Sequence, residues 1–271
     1  MCGWELLKTE VEGMKPKIIF FDVDGTLTSY KNGIILDSTK QAIQQLIKQG
    51  IRVVAATGRP LSMCAEIAAL GIDTFITANG AYVKHKNKII HKITMDKKIV
   101  KDVMDFASKE GNALTFYSEK LHINGVQNSD VLNALKETLS LTDYPAVSKK
   151  AYEFDTYLMC LFANEYMIQK YKEKFPTLTF KRWHPFILNV LENDVSKSLA
   201  IFKVLEFFNI DKKEAIAFGD GENDIDMIEL VGFGIAMGNA NGKLKSVADF
   251  VTKGSDEDGI MYALDKYGIL K

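Results

Sequence analysis

Short apolar runs alternate with stretches of helical periodicity at both ends of this chain. Residues 17–21 (KIIFF) form a β-branched and aromatic run with no polar alternation, the pattern of a strand buried on both faces. Ala42, Ile43, Leu46 and Ile47 then fall on one helical face, with Ser38 and Gln41 at capping-box spacing ahead of them and Gly50 placed to end the helix. Residues 51–56 (IRVVAA) read as a second strand, so the chain opens with a β-α-β unit. Pro60 fits the first turn of another helix running to about Leu70, residues 75–77 a third strand, and Asn79-Gly80 a turn. The rhythm returns late in the chain. Residues 196–208 predict an amphipathic helix with Leu199, Ala200, Phe202, Lys203, Leu205 and Phe208 around its apolar side. A strand at 215–218, a helix at 224–231, a strand at 233–237, a short helix near Leu244 and a strand at 249–251 follow. Strands and helices alternating at this spacing predict an α/β fold, a doubly wound, Rossmann-like parallel sheet.

The middle of the chain has a different pattern. Between about His85 and Pro185 the strand-like runs are longer and more alternating, as at 113–117 (ALTFY) and 155–160 (DTYLMC), and helices are expected at about 97–109, 129–139 and 164–175. This predicts an inserted α+β domain with a mostly antiparallel sheet. The expected division is 14–84 and 187–271 for a discontinuous core and 85–186 for the insert. Residues 1–13, ahead of Met14, are expected to be a dispensable extension.

Composition narrows the functional classes. The 271 residues are 47% hydrophobic and 25% charged, with a formal net charge of -1, which lacks the basic excess of a nucleic-acid binder. No apolar run approaches the ~20 residues of a membrane span. Cys2, Cys64 and Cys160 lie far apart, which points to reduced thiols and a cytoplasmic protein. No nucleic-acid or membrane partner is therefore expected, and the sequence leaves the oligomeric state open.

Candidate chemistry gathers at four strand ends. The first is Asp22 and Asp24 in FDVDGT, beyond the carboxyl end of the first strand, where open α/β sheets bind ligands. Alone, a D-x-D is more often an Asx-rich turn; two such carboxylates repel unless a cation or a proton intervenes. The second is Thr57-Gly58-Arg59, where a hydroxyl, a glycine and helix N-terminal amides can cradle an anion, although Thr57 could equally be a helix cap. The third is Lys197, in a first helical turn where its charge opposes the helix dipole unless an anion compensates; a surface lysine is the plainer alternative. The fourth is GDGENDID, residues 219–226. Asp220, Glu222 and Asp224 match the first positions of an EF-hand loop, but Ile225 and Val231 replace its glycine and its bidentate glutamate, which leaves a hard cation held by few carboxylates.

In this order the four segments resemble the haloacid dehalogenase superfamily, and within it the Cof-type phosphatases, whose α/β cap is inserted between the second and third motifs. The resemblance spans 17–271. It rests on FDVDGTL and GDGENDIDM, with ATGRP, AMGNA, LKSVADFVT and DGI in support. It implies a Mg2+-dependent phosphatase acting on small phosphorylated metabolites, sugar phosphates or related compounds, through an aspartyl-phosphate. By resemblance Asp22 is the nucleophile and Asp24 the general acid/base. Thr57, Gly58, Arg59, Lys197 and Asn223 bind phosphate or substrate. Asp22, the backbone carbonyl of Asp24 and Asp220 ligate Mg2+, and Asp224 supports them from behind. Lys197 is followed by Ser198 where many relatives have glycine, which bears on how the helix starts.

The cap is expected to close over substrate, with Tyr117, His122, Tyr157, Arg182, Trp183 and His184 as candidate contacts. A phosphosugar mutase of the same superfamily is the alternative enzyme. A non-catalytic phospho-ligand binding protein is the further alternative, although such a protein is expected to have lost one of Asp22, Asp24, Lys197 or Asp220.

Overall fold

A computed structural model describes residues 15–139, 141–192 and 195–270, so the expected extension at 1–13 lies outside the described residues. The chain clusters into two compact units. One comprises 1–58, 65–91 and 196–271; the other comprises 59–64 and 92–195.

The first unit is built on strands β1 (Ile18–Phe21), β2 (Arg52–Ala56), β3 (Thr74–Thr77), β4 (Tyr82–His85) and β5 (Lys88–Lys92) from the first half of the chain. In the same order of naming, the second unit holds β6 (Ala113–Tyr117), β7 (Leu121–Ile123), β8 (Ala146–Val147), β9 (Leu158–Phe162), β10 (Thr179–His184) and β11 (Ile187–Leu191). The late strands β12 (Ala215–Gly219), β13 (Phe233–Ala236) and β14 (Phe250–Val251) return to the first sheet.

That sheet runs β14-β13-β12-β1-β2-β3-β4-β5, and the neighbours from β14 to β3 are all parallel. β4 turns back antiparallel on β3. The register sets Phe21 level with both Phe218 and Ala55, and Gly219 level with Ala236. Four adjacent strands, β13, β12, β1 and β2, therefore end together. The central strand explains why the sheet is covered on both sides: Ile18, Ile19, Phe20 and Phe21 are all fully buried. At about 1.5–3 kcal/mol for each fully buried large apolar side chain, β1 contributes roughly 6–12 kcal/mol of apolar driving force. The expected Rossmann-like architecture is thus present.

Two helix boundaries and one helix face differ from expectation. The first helix runs Asp37–Lys48 with Leu36 at its N-cap and no side-chain cap, so there is no capping box. Ser38 instead donates to Asp258 at 2.6 Å, a tertiary contact that competes for the same hydroxyl. After Pro60 the chain forms a single tight turn, Leu61–Met63, and a short helix, Ala65–Ala68, rather than one helix to Leu70. The helix Lys197–Phe208 buries Lys197, Ala200, Ile201, Val204 and Leu205 at i, i+3, i+4, i+7 and i+8. Phe202, expected on the apolar side, is 54% exposed, because the stripe that meets β1, β2 and β12 is one residue out of phase with it.

In the second unit the sheet order is β10-β11-β9-β6-β7-β8, antiparallel except for the β7–β8 pair. Leu114, Phe116, Met159, Leu161, Leu188 and Val190 share one face and pack with Val100, Val103 and Ile168 from helices Lys97–Lys109 and Glu165–Lys174. The first of these helices is capped by Asp96, which accepts from Lys98 and Ile99 amides at 2.8 and 3.0 Å.

Candidate active site

The site begins where β1 stops. Asp22 takes up the next position, its own amide donating to Phe218 O at 2.9 Å as though the strand continued, and the residue is only 6% exposed. The chain then turns sharply through Val23–Leu27, with Gly25 at φ +85°. Gly25 is required twice over. L residues rarely adopt that backbone angle, and a Cβ there would collide with the Asp220 carboxylate. Asp24, in the same turn, is exposed.

Lys197 joins strands far apart in sequence. Its Nζ donates to Asp22 Oδ1 at 2.5 Å, to Asp224 Oδ1 at 2.6 Å and to the carbonyl of Ala56 at 2.8 Å. All three ammonium donors are thereby used, and the residue is 1% exposed. The anion that the helix dipole demanded is supplied by these two carboxylates. The helix start is held by Ser196, whose hydroxyl accepts from the Leu199 amide at 3.1 Å, and by Asp226, which accepts from the Ser198 amide at 2.9 Å. Gly80, at φ +106°, lets the Asn79-Gly80 turn approach so closely that a Cβ would strike the Ser196 carbonyl.

The acids of GDGENDID separate by task. Asp220 Oδ1 accepts from the Thr26 hydroxyl at 3.1 Å and Oδ2 from the Asn239 amide at 3.3 Å. Glu222 points away to pair with Lys243 at 2.9 Å. Asp224 is fully buried. One of its oxygens takes Lys197, and the other takes the backbone amides of Asp220 and Gly221, both at 3.0 Å. With both oxygens engaged it is placed to position Lys197 and the Asp220 backbone. Asp226 serves the helix start described above.

Thr57 follows β2 and is fully buried, its amide donating to Ile76 O at 2.8 Å and its carbonyl accepting from Asn79 at 3.1 Å. It is therefore part of a strand-to-turn junction, not the cap of a helix. Gly58 faces the Asn79 side chain, where a Cβ would lie 3.2 Å from Oδ1, and Asn223 donates to that same Oδ1 at 3.3 Å. Asp22, Asp220, Asp224, Lys197, Thr57, Gly58 and Asn223 are thus gathered at one end of one sheet. Arg59 falls in the second unit and donates to the Met63 carbonyl at 3.5 Å.

Electrostatics show what the cluster lacks. Asp22, Asp220 and Asp224 each offer an oxygen within 4.8 Å of the others, against one ammonium. Burial, followed by the nearby Asp224 carboxylate, raises the Asp22 carboxyl well above its ordinary range despite Lys197. Burial and Asp224 likewise raise Asp220 to about 7. Burial alone would lower the Lys197 ammonium, but Asp22 and Asp224 outweigh it and hold the charge above its ordinary pKa. Excess buried negative charge with oxygen-only donors fits a hard divalent cation between Asp22 and Asp220.

Asn239 is a further polar residue that sequence reasoning did not single out; its only signal was its place within AMGNA. In the second unit, Arg182 is tied to Glu165 at 3.1 Å and to the carbonyls of Pro185 and Ala163 at 2.8 and 3.1 Å. His184 pairs with Glu137 at 3.1 Å, His122 stacks on Phe154, Tyr117 and Tyr157 are buried, and Trp183 is 47% exposed.

Comparison with known proteins agrees with this geometry. A family model described as haloacid dehalogenase-like hydrolase matches residues 19–264. The chain is 37% identical over 260 residues to the Bacillus subtilis protein named "Putative phosphatase YkrA", covering 95% of this chain and 100% of that one. A solved structure of a hypothetical protein from Geobacillus kaustophilus is 36% identical with a TM-score of 0.87, covering 94% of this chain and 100% of that one. The HAD subclass IIB sugar phosphatase BT4131 is 33% identical with a TM-score of 0.81, at 94% and 100% coverage.

Proposed function

This chain belongs to the haloacid dehalogenase-like hydrolase family, and from that premise we propose that it is a Mg2+-dependent phosphatase that hydrolyses small phosphorylated metabolites through a phosphorylated Asp22. One observation carries the reading: Lys197 Nζ is bonded at once to Asp22, Asp224 and the Ala56 carbonyl, which fixes a buried carboxylate at the strand end beside Asp220. Nothing about folding requires a buried lysine between two aspartates, and such pairs are poor sources of stability.

In the proposed reaction Asp22 attacks phosphorus through the oxygen that Lys197 does not hold. A P–O bond to Asp22 forms as the bond to the substrate oxygen breaks, and Asp24 gives its proton to the departing alkoxide. Water then attacks phosphorus while Asp24 takes its proton, the aspartyl bond breaks, and inorganic phosphate leaves with Asp22 restored. Asp24 suits proton transfer because it is exposed, outside the Lys197 network. Lys197 faces charge on the phosphoryl oxygens, while Thr57 and Asn223 orient them. A Mg2+ ion held by Asp22, Asp220 and the Asp24 carbonyl would neutralise further charge on those oxygens.

Sugar phosphates are the first class to test, given the sugar phosphatase among the similar structures. Two Bacillus subtilis relatives named as 5-amino-6-(5-phospho-D-ribitylamino)uracil phosphatases, 26% and 28% identical, make phosphorylated ribityl compounds the second. No described helix is long and apolar enough to cross a membrane, and a cytoplasmic site of action suits the two buried cysteines, Cys64 and Cys160. The test is phosphate release from a panel of phosphorylated metabolites with Mg2+ and with a chelator, for wild type and Asp22→Asn. Phosphate release that needs both Mg2+ and Asp22 is expected, with a loss of about 10^4-fold or more in the variant. Isomer formation without phosphate release would identify a mutase instead.

A further inference from the structure

We propose that Asn239 is a positioning residue that sets the orientation of the Asp220 carboxylate and thereby the affinity of the site for a divalent cation. The inference rests on the reading of Asp220 as a cation ligand. Asn239 lies three residues beyond the end of β13, next in the sheet to the strand that delivers Asp220. Its side-chain amide nitrogen donates to the Gly25 carbonyl at 2.8 Å and to Asp220 Oδ2 at 3.3 Å. Its oxygen accepts from the Ser255 backbone amide at 2.9 Å. A backbone amide can only donate, so this last bond fixes which way the Asn239 amide faces.

One side chain thus ties three segments together: the turn after Asp22, the loop that carries Asp220, and the loop at Ser255. The Ser255 hydroxyl extends the tie by accepting from the Tyr30 amide at 3.0 Å, on the far side of that first turn. Asp220 is held from its other oxygen by the Thr26 hydroxyl at 3.1 Å. With each oxygen given one fixed donor, the plane of the carboxylate is set and each oxygen keeps a lone pair for a cation. Hydrogen bonds that orient a ligand carboxylate in this way are typically worth 10–100-fold in metal affinity. Asn239→Leu keeps the approximate volume and adds no charge, but removes both donors to Asp220 and the Gly25 carbonyl. The changed polarity is then the variable, not the packing.

The experiment is a titration of the whole protein with Mn2+ and no substrate, read by EPR of the free ion, on wild type, Asn239→Leu, Asn239→Ala and Asp220→Asn. Circular dichroism and thermal melting verify that each variant is folded. We expect Asp220→Asn and both uncharged Asn239 variants to raise the Mn2+ dissociation constant by about tenfold or more. In turnover assays, saturating Mn2+ should restore most of kcat in Asn239→Ala and leave the substrate KM within twofold. A merely structural role would lower kcat and the melting temperature at every Mn2+ concentration. If Asp220→Asn weakens Mn2+ tenfold while folded Asn239→Leu and Asn239→Ala stay within twofold of wild type, the positioning role of Asn239 is overturned and the cation site stands. An unchanged dissociation constant in Asp220→Asn would overturn the assignment of Asp220 as a ligand, and the inference with it. Should Asn239→Leu not fold, Asn239→Ala, which is smaller, decides the matter.

Discussion

The two units spend their charged residues differently. In the second unit the ion pairs lie toward the surface: Lys92–Asp155, Lys101–Asp105, Lys150–Glu153 and Lys170–Glu110 each keep a lysine side chain 47–72% exposed. In the first unit, Lys197–Asp22 and Lys197–Asp224 have side chains at 0–8% exposure. An exposed pair is worth about 0–1 kcal/mol, whereas a buried charge costs several kcal/mol to desolvate and must be matched. Stability alone therefore gives no reason for the buried cluster, and the proposed reaction does. Exposed pairs such as Lys17–Glu214 and Lys203–Glu206 occur in the first unit as well, so the contrast lies in this one buried cluster and not in ion pairs at large.

The sharpest way to break this comparison is Lys197→Met, which keeps the length of the side chain and removes the charge. Turnover should fall by about 10^3-fold or more, measured as phosphate release at saturating Mg2+. A smaller loss than about tenfold would place Lys197 outside the chemistry. Next, Asp24→Asn should cost far more with alkyl phosphates than with aryl phosphates, whose leaving groups need no proton. Equal losses for the two classes would contradict an acid role.

A pH experiment sharpens the electrostatic side. Without a divalent cation, Asp220 is raised to about 7, so between roughly pH 4 and 7 the folded state holds a proton that the unfolded chain has lost. That contribution is present at low pH and disappears as pH rises through 7. Relative to Asp220→Asn, the wild-type melting temperature should drop by several degrees across this window, and added Mg2+ should reverse the trend. Parallel melting curves for the two proteins, with no change in their separation, would refute the buried charge excess.

The smallest effect is expected in the second unit. Lys170→Ala removes an exposed pair to Glu110 and should leave the urea unfolding midpoint close to wild type, with turnover unchanged. A clear drop in that midpoint would show that surface pairs there matter more than their exposure implies.

How much of this was legible in the sequence follows from the range over which each feature is determined. A strand end and the polar residues just past it are local properties, so Asp22, Thr57 and Asp220 could be placed beyond β1, β2 and β12 from apolar runs alone. Helices 97–109 and 129–139 were legible for the same reason. Side-chain partners are not local. The Ser38 hydroxyl was taken by Asp258, 220 residues away, in preference to a capping box.

By itself, then, the sequence determined which strands run parallel through a buried sheet and which carboxylates stand at their ends, because strand burial and turn chemistry are written in adjacent residues. Only the tertiary structure decided that Lys197 would be buried, since its partners Asp22 and Ala56 lie 175 and 141 residues away. It also decided that Asp224 would be saturated by amides, that Phe202 would face outward, and that Asn239 would hold Asp220. Those outcomes depend on which strand ends become neighbours, and that is fixed by the order of the sheet, not by any single segment.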